Sequence, residues 1–295
     1  MTEQSGLVVV DKPTGWTSHQ VVGRCRRLYG TKKVGHGGTL DPLATGVLLV
    51  GVNRATRLLG HLAGHDKSYS ATIRLGQATV TDDSEGDVVS SSGADGVSLD
   101  DVRAVLATLT GTISQVPSAV SAIKVDGKRS YARVRAGEAV ELAAREVTVS
   151  RFDLLEATAA AADGCALLDL EVVVDCTSGT YIRALARDLG SALGCGGHLT
   201  RLRRTRVGAF GLDLVGLDDA GLAGDQAAPL LSMAEVARRA FPVVELDPAQ
   251  AADVRHGRSL ALTLTESPTA LLFEDDLLAL YRGDGDTARP VAVLG

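Results

Sequence analysis

The sequence predicts an α+β fold: a mixed, largely antiparallel sheet flanked by helices, followed by a small β-rich C-terminal domain. Three observations predict it. Short apolar or alternating runs are mixed with amphipathic stretches, without the regular strand–helix–strand alternation of a parallel sheet. Hydrophobic residues are 45% and charged residues 22% of a 295-residue chain, enough apolar material for a large core. Beyond about residue 242, short strand-like runs recur at close spacing. At about 150 residues per domain the length suggests two domains. The division falls at 1–242 and 243–295, after the turn-forming stretch GLDDAGLAGDQAAP.

Leu7–Val10 reads as a strand ended by Asp11-Lys12-Pro13. Ser18 reads as the N-cap of a helix with Val21, Val22, Cys25 and Leu28 inward, closing at Gly30. A glycine-rich turn over 35–38 and the apolar run Val47–Val52 follow. Tyr69–Leu75 alternates like a strand, and Leu99–Leu109 reads as a helix capped near Ser98. Val147–Leu155 and Ala166–Val174 read as strands separated by the loop ATAAAADG. Ser178 or Thr180 starts a further helix, with Ile182, Leu185, Ala186 and Leu189 inward. In the C-terminal unit the pattern gives a helix at Pro248–His256. It gives strands near Leu260–Leu264, Ala270–Phe273, Leu278–Tyr281 and Val291–Leu294.

No apolar run approaches the roughly 20 residues of a membrane span. The N-terminus MTEQSGLVVVDKP has no basic start and no long apolar stretch, so no secretory signal is expected. The four cysteines include no CxxC pair and read as reduced thiols of an intracellular chain. Cys195-x-x-His198 with Cys176 upstream lacks a fourth ligand at matching spacing, so no metal site is expected.

The net charge is −6, which taken alone argues against a nucleic-acid partner. The average hides an asymmetry. Residues 1–210 carry 24 basic against 22 acidic residues, and residues 211–295 carry 6 against 14. RCRRLYGTKK (24–33) has five basic residues and no acid, and six arginines oppose one aspartate between Tyr181 and Arg206. A polyanion fits these faces despite the negative total.

The most informative stretch is GHGGTLDPLATGVLLVG, 35–51. Its glycines let the backbone turn sharply, and Pro42 restricts Asp41 to an extended conformation. Asp41 therefore reads either as a nucleophile or base on a stiff loop, or as a turn cap that His36 hydrogen-bonds. Lys67 and Tyr69 share a strand face, where a tyrosine either stacks on a base or sits half-buried in the sheet. Tyr181 and Arg183 lie near a helix start, as a carboxylate partner or as core and surface residues. In HLTRLRRTRVGAF, 198–210, Leu202 interrupts four arginines, giving either an apolar face backed by phosphate contacts or a solvated basic strand. No Walker, HExxH or GxSxG pattern is present.

Taken together, DKPTGWTSH (11–19), GHGGTLDPLATG, KSY, GTYIRALARDLG and HLTRLRRTRVGAF resemble the TruB family of tRNA pseudouridine synthases, in order, over residues 7–210. The resemblance implies the pseudouridine synthase fold with a small C-terminal PUA-like domain. It implies isomerisation of uridine 55 in the T loop of tRNA, on a flipped nucleotide and with no cofactor or metal. Asp41 falls on the family's catalytic aspartate, Tyr69 on its active-site tyrosine and Arg183 on the arginine paired with the aspartate. Tyr181 and Leu202 match residues that pack around the target nucleoside, and His36 matches the histidine near the flipped nucleotides. Lys12 and Lys67 are structural or electrostatic positions.

Residues about 116–145 resemble the family's T-loop-clamping insertion. VPSAVSAIK (116–124) has Ser118 and Val120 where the family often has Pro and Tyr. The tRNA T stem-loop is the expected partner, the chain a monomer, and the location cytoplasmic. A synthase acting on another RNA, or an RNA-folding factor, is the alternative.

Overall fold

The computed structural model describes residues 4–118, 124–125, 128–129 and 142–294. Most of the expected insertion, about 116–145, lies outside the described residues. The chain forms two compact units. One comprises Met1–Pro42, Gly46–Gly64 and Arg206–Gly295, the other Leu43–Thr45 and His65–Thr205.

In the first unit, strand Gly6–Lys12 pairs antiparallel with Thr45–Val52, from Gly6 opposite Val52 to Lys12 opposite Gly46. Val215–Leu217 runs parallel to Gly6–Lys12, and Leu231–Ser232 antiparallel, so the sheet is mixed. The expected glycine-rich turn is instead strand Val34–Gly37, paired with Thr45–Val52 so that His36 opposes Val50. The turn begins only at Gly38, in the left-handed region at φ 81°.

Leu7, Val9, Val47 and Leu49 share one core with Met233, Val236 and Ala237, and with Ala270, Leu272, Leu277 and Leu280. Helix Met233–Ala240 is absent from the sequence reading, although Ser232 caps it by accepting from the Glu235 amide at 3.1 Å. Val243–Glu245, Thr269–Phe273, Asp276–Asp284 and Thr287–Val293 form a separate four-stranded sheet. Its second face packs Leu271, Leu278 and Tyr281 on Ala251 and Val254 of helix Pro248–Arg255. Alternate residues of one strand thus serve two cores. The expected strand Leu260–Leu264 is reduced to a single bridge from Leu260 to Ala288.

In the second unit the strand order is Gly197–Val207, Lys67–Leu75, Cys165–Cys176, Arg145–Ala162, Gly111–Gln115. The pairs from Lys67–Leu75 onward are antiparallel. The segment ATAAAADG is not a loop. Pairing continues to Ala162 opposite Cys165, and only Asp163 (φ 52°) and Gly164 (φ 78°) make the turn. Two consecutive positive φ angles at Asp-Gly are the two-residue hairpin turn that follows strand twist. Cross-strand pairing outweighs the weak strand preference of alanine.

Helix Ile182–Ala192 starts at Tyr181 with no side-chain cap, not at Ser178 or Thr180. Gly190 lies inside it, because a Cβ there would sit 2.2 Å from the Gly196 backbone. Helix Leu99–Thr108 is capped by Ser98 as expected. Among the described residues no helix is long and apolar enough to cross a membrane.

Candidate active site

Asp41 is half-buried and follows strand Val34–Gly37. Its two neighbours are fastened by backbone contacts. The Ser18 hydroxyl donates to the Leu40 carbonyl at 3.1 Å and accepts from the Leu40 amide at 3.0 Å. The Gly15 amide donates to the Pro42 carbonyl at 2.9 Å. Lys12, fully buried, donates from Nζ to the carbonyls of Pro13 (2.9 Å), Trp16 (2.7 Å) and Pro42 (3.2 Å). A buried ammonium needs such partners, and three carbonyls on two segments satisfy its three donors.

This task explains why Ser18 is not the helix cap. Thr17 caps helix Ser18–Leu28 in a reciprocal box with Gln20, which leaves the Ser18 hydroxyl for Leu40. His36 stands edge-on to His19, with ring centroids 5.4 Å apart.

In the second unit, Lys67 and Tyr69 are both 7% exposed on strand Lys67–Leu75, opposite Cys176 and Val174. Burial pushes the Lys67 ammonium down to about 8, helped by the Arg204 guanidinium and opposed by Cys176 and Asp66. Its Nζ donates to the His65 carbonyl at 2.7 Å.

Arg183 is 6% exposed and is held by its own head group. It donates to the Thr81 carbonyl at 2.9 Å and pairs with Asp83 at 3.4 Å, where both side chains are under a tenth exposed. One helical turn on, Arg187 pairs with Asp82 at 3.3 Å and donates to the Val116 carbonyl at 2.7 Å. Two arginines at i and i+4 thus grip two consecutive aspartates. Burial raises the Asp82 carboxyl above its ordinary value, against the opposing pull of Ser118 and Arg187. Asp83 also accepts from the Glu85 amide at 3.0 Å.

Tyr181 is set by Gln115, which is fully buried. The Gln115 amide donates to the Tyr181 carbonyl at 3.1 Å and accepts from its N–H at 2.9 Å, and Arg145 lies 4.8 Å from the ring centre.

Leu202 is 7% exposed on strand Gly197–Val207, but that strand is not a free basic face. Arg204 is 1% exposed and Arg201 pairs with Glu171 at 2.5 Å. His198 meets the Gln77 carbonyl at 3.2 Å, and Cys195 donates to backbone carbonyls of Gly190 and Gly196.

Lys12, His36 and Asp41 belong to the first unit, and Lys67, Tyr69, Tyr181, Arg183 and Leu202 to the second. Sequence reasoning missed Asp83, Gln115 and Ser18's true role. The only advance signal for Asp83 is the one-turn spacing of Arg183 and Arg187.

Comparison with known proteins decides the family. Residues 26–182 match the TruB family pseudouridylate synthase N-terminal domain. Residues 183–223 match the tRNA pseudouridylate synthase B C-terminal domain, and 241–295 the tRNA pseudouridine synthase II C-terminal model. The chain belongs to the TruB family. It is an enzyme of that family, an isomerase.

Among its TruB relatives, a tRNA pseudouridine synthase B of Cutibacterium acnes is 56% identical, covering 99% of both chains. One from an Arthrobacter species is 54% identical over 98% of this chain and 96% of the relative. Among solved structures, a Cbf5-Nop10-Gar1 complex matches with a TM-score of 0.71 and 26% identity, over 99% of this chain and 85% of that one. An H/ACA RNP bound to a substrate RNA containing 2′-deoxyuridine matches with a TM-score of 0.66 and 26% identity, over 98% and 85%. The α+β class expected from the sequence is the fold of this family.

Proposed function

We propose that the chain isomerises uridine to pseudouridine in tRNA, at uridine 55 of the T loop. The target nucleotide is flipped out of its stack, and Asp41 attacks it as nucleophile. The N1–C1′ bond breaks, the detached uracil turns within the site, C5 bonds to C1′, and the bond that Asp41 formed to the nucleotide breaks to return the free carboxylate. Tyr69 removes the C5 proton and N1 takes one up, so atoms balance without any co-reactant. Arg183 keeps Asp41 ionised and oriented. Tyr69 stacks on the base, Tyr181 and Leu202 wall the nucleoside, and His36 supports the opened loop. Lys12 and Lys67 act on the site through position and charge.

The observation that carries this reading is how Asp41 is held. Four backbone contacts fix the residues on either side of it. A nucleophile needs such a fixed position. The family match and the 56% identical relative named for tRNA support the substrate class.

In this reading 116–145 clamps the T loop, and 243–295 is a small PUA-like module beside the catalytic part at 1–242. The enzyme works as a monomer in the cytoplasm with neither metal nor cofactor. The acidic C-terminal part contacts RNA through few residues, such as Arg255, His256 or Arg258.

Incubation with an unmodified tRNA transcript, followed by mapping of pseudouridine along the chain, tests the proposal. Product at position 55 alone supports it. Product only in other RNAs favours the second reading, a synthase with a different RNA substrate, for which the similarity to an RNP bound to substrate RNA speaks.

A further inference from the structure

Helix Ser18–Leu28 buries Ser18, Val21, Val22 and Cys25. Its other face, continued back to Trp16, carries Gln20, Gly23, Arg24 and Arg27 around a groove of about 360 Å³. That volume is at the low end for small-ligand sites and is enough for one base. Trp16 is the only tryptophan in the chain and is half-buried.

Arg24 is spent on structure. It donates to the carbonyls of Leu222 and Gly224 and pairs with Asp225 at 3.3 Å. Arg27 is exposed and makes no ion pair among the described residues. Gly23 is exposed, and a Cβ built there meets nothing within 4 Å, so the helix itself leaves the groove open. An indole face, an exposed guanidinium and no carboxylate among the five lining residues match the chemistry of a nucleotide.

We propose that this groove is an additional RNA contact, where one unpaired base stacks on Trp16 and its phosphate meets Arg27. The proposal rests on reading the chain as an RNA-modifying enzyme. It also ties the contact to catalysis, because the Trp16 carbonyl accepts from the same Lys12 ammonium that holds Pro42 beside Asp41. RNA seated in the groove therefore bears on the loop that carries the nucleophile.

Trp16 fluorescence reports the groove directly in the full-length protein. Titration with an unmodified tRNA transcript is expected to quench it. Gly23→Gln fills the groove from an open position and improves the helix, so the fold survives. It is expected to abolish the quench and weaken tRNA binding about tenfold, the order of one base–aromatic stack. Trp16→Phe retains most of the affinity and Trp16→Ala loses it. Arg27→Gln lowers the salt dependence of binding by about one unit of slope.

Unchanged fluorescence at saturating tRNA overturns the proposal. So does affinity within about twofold of wild type in both Gly23→Gln and Trp16→Ala, or a quench by uridine monophosphate but not by tRNA. A tRNA-dependent quench in a protein that makes no pseudouridine supports the groove and sinks the catalytic reading alone.

Discussion

Asp41 and Arg183 are held in opposite ways. Asp41 is fixed through its neighbours: Ser18 grips Leu40, and Lys12 and Gly15 grip Pro42. Arg183 is fixed through its own guanidinium, on Asp83 and the Thr81 carbonyl. The difference follows from chemistry. Contacts to the flanking backbone set where a short side chain such as aspartate stands. A guanidinium has five N–H donors, so it can be anchored by some and still orient a second group with the rest.

The comparison breaks most visibly at Asp83. Removing one partner of a buried pair leaves an uncompensated charge, and Asp83→Ala is expected to lower unfolding stability by about 3–5 kcal/mol. Urea denaturation measures it, and a loss well below that range would mean Arg183 has other support. Next is Lys12→Met, which loses charge-assisted bonds worth about 1.5–3 kcal/mol and releases Pro42. Turnover should fall about a hundredfold through misplacement of Asp41, while tRNA affinity changes little. Steady-state kinetics beside filter binding separate the two. Ser18→Ala strips both Leu40 contacts without touching the helix cap, and should cost about 1–3 kcal/mol with a smaller fall in turnover.

A pH-dependent effect concerns Lys67. Its folded value is lowered to about 8 from an ordinary 10.5, so the unfolded chain binds more protons between those limits. Stability from this group is therefore least below about pH 8 and rises toward pH 10.5 as the buried ammonium deprotonates. Lys67→Met should flatten that rise in pH-dependent unfolding curves, and an unchanged rise would assign it elsewhere.

What the sequence makes legible follows the same division. Asp41 stands out because glycines and a proline announce an unusual backbone, and backbone is what holds it. Asp83 does not, because in TDDSEG a buried ion-pair carboxylate looks like any acidic turn. Gln115 is equally silent, since an isolated glutamine at the end of a strand gives no hint that its amide clamps Tyr181. The apolar strands were readable from period alone, but the hairpin over ATAAAADG was not. Alanine suggests a loop until its cross-strand partners, Leu167 and Leu168 opposite Ala160 and Ala159, are in place. The arginines of 198–210 show the limit of counting charge: Arg204 is buried and Arg201 is paired, so the run is largely internal wiring.

The most direct test of the account is Asp41→Asn, assayed on an unmodified tRNA transcript for both pseudouridine formation and binding. The substitution keeps the shape of the side chain and removes its negative charge. The account predicts no detectable product and an affinity within a few fold of the unaltered enzyme. Pseudouridine formed by the Asn variant would contradict it.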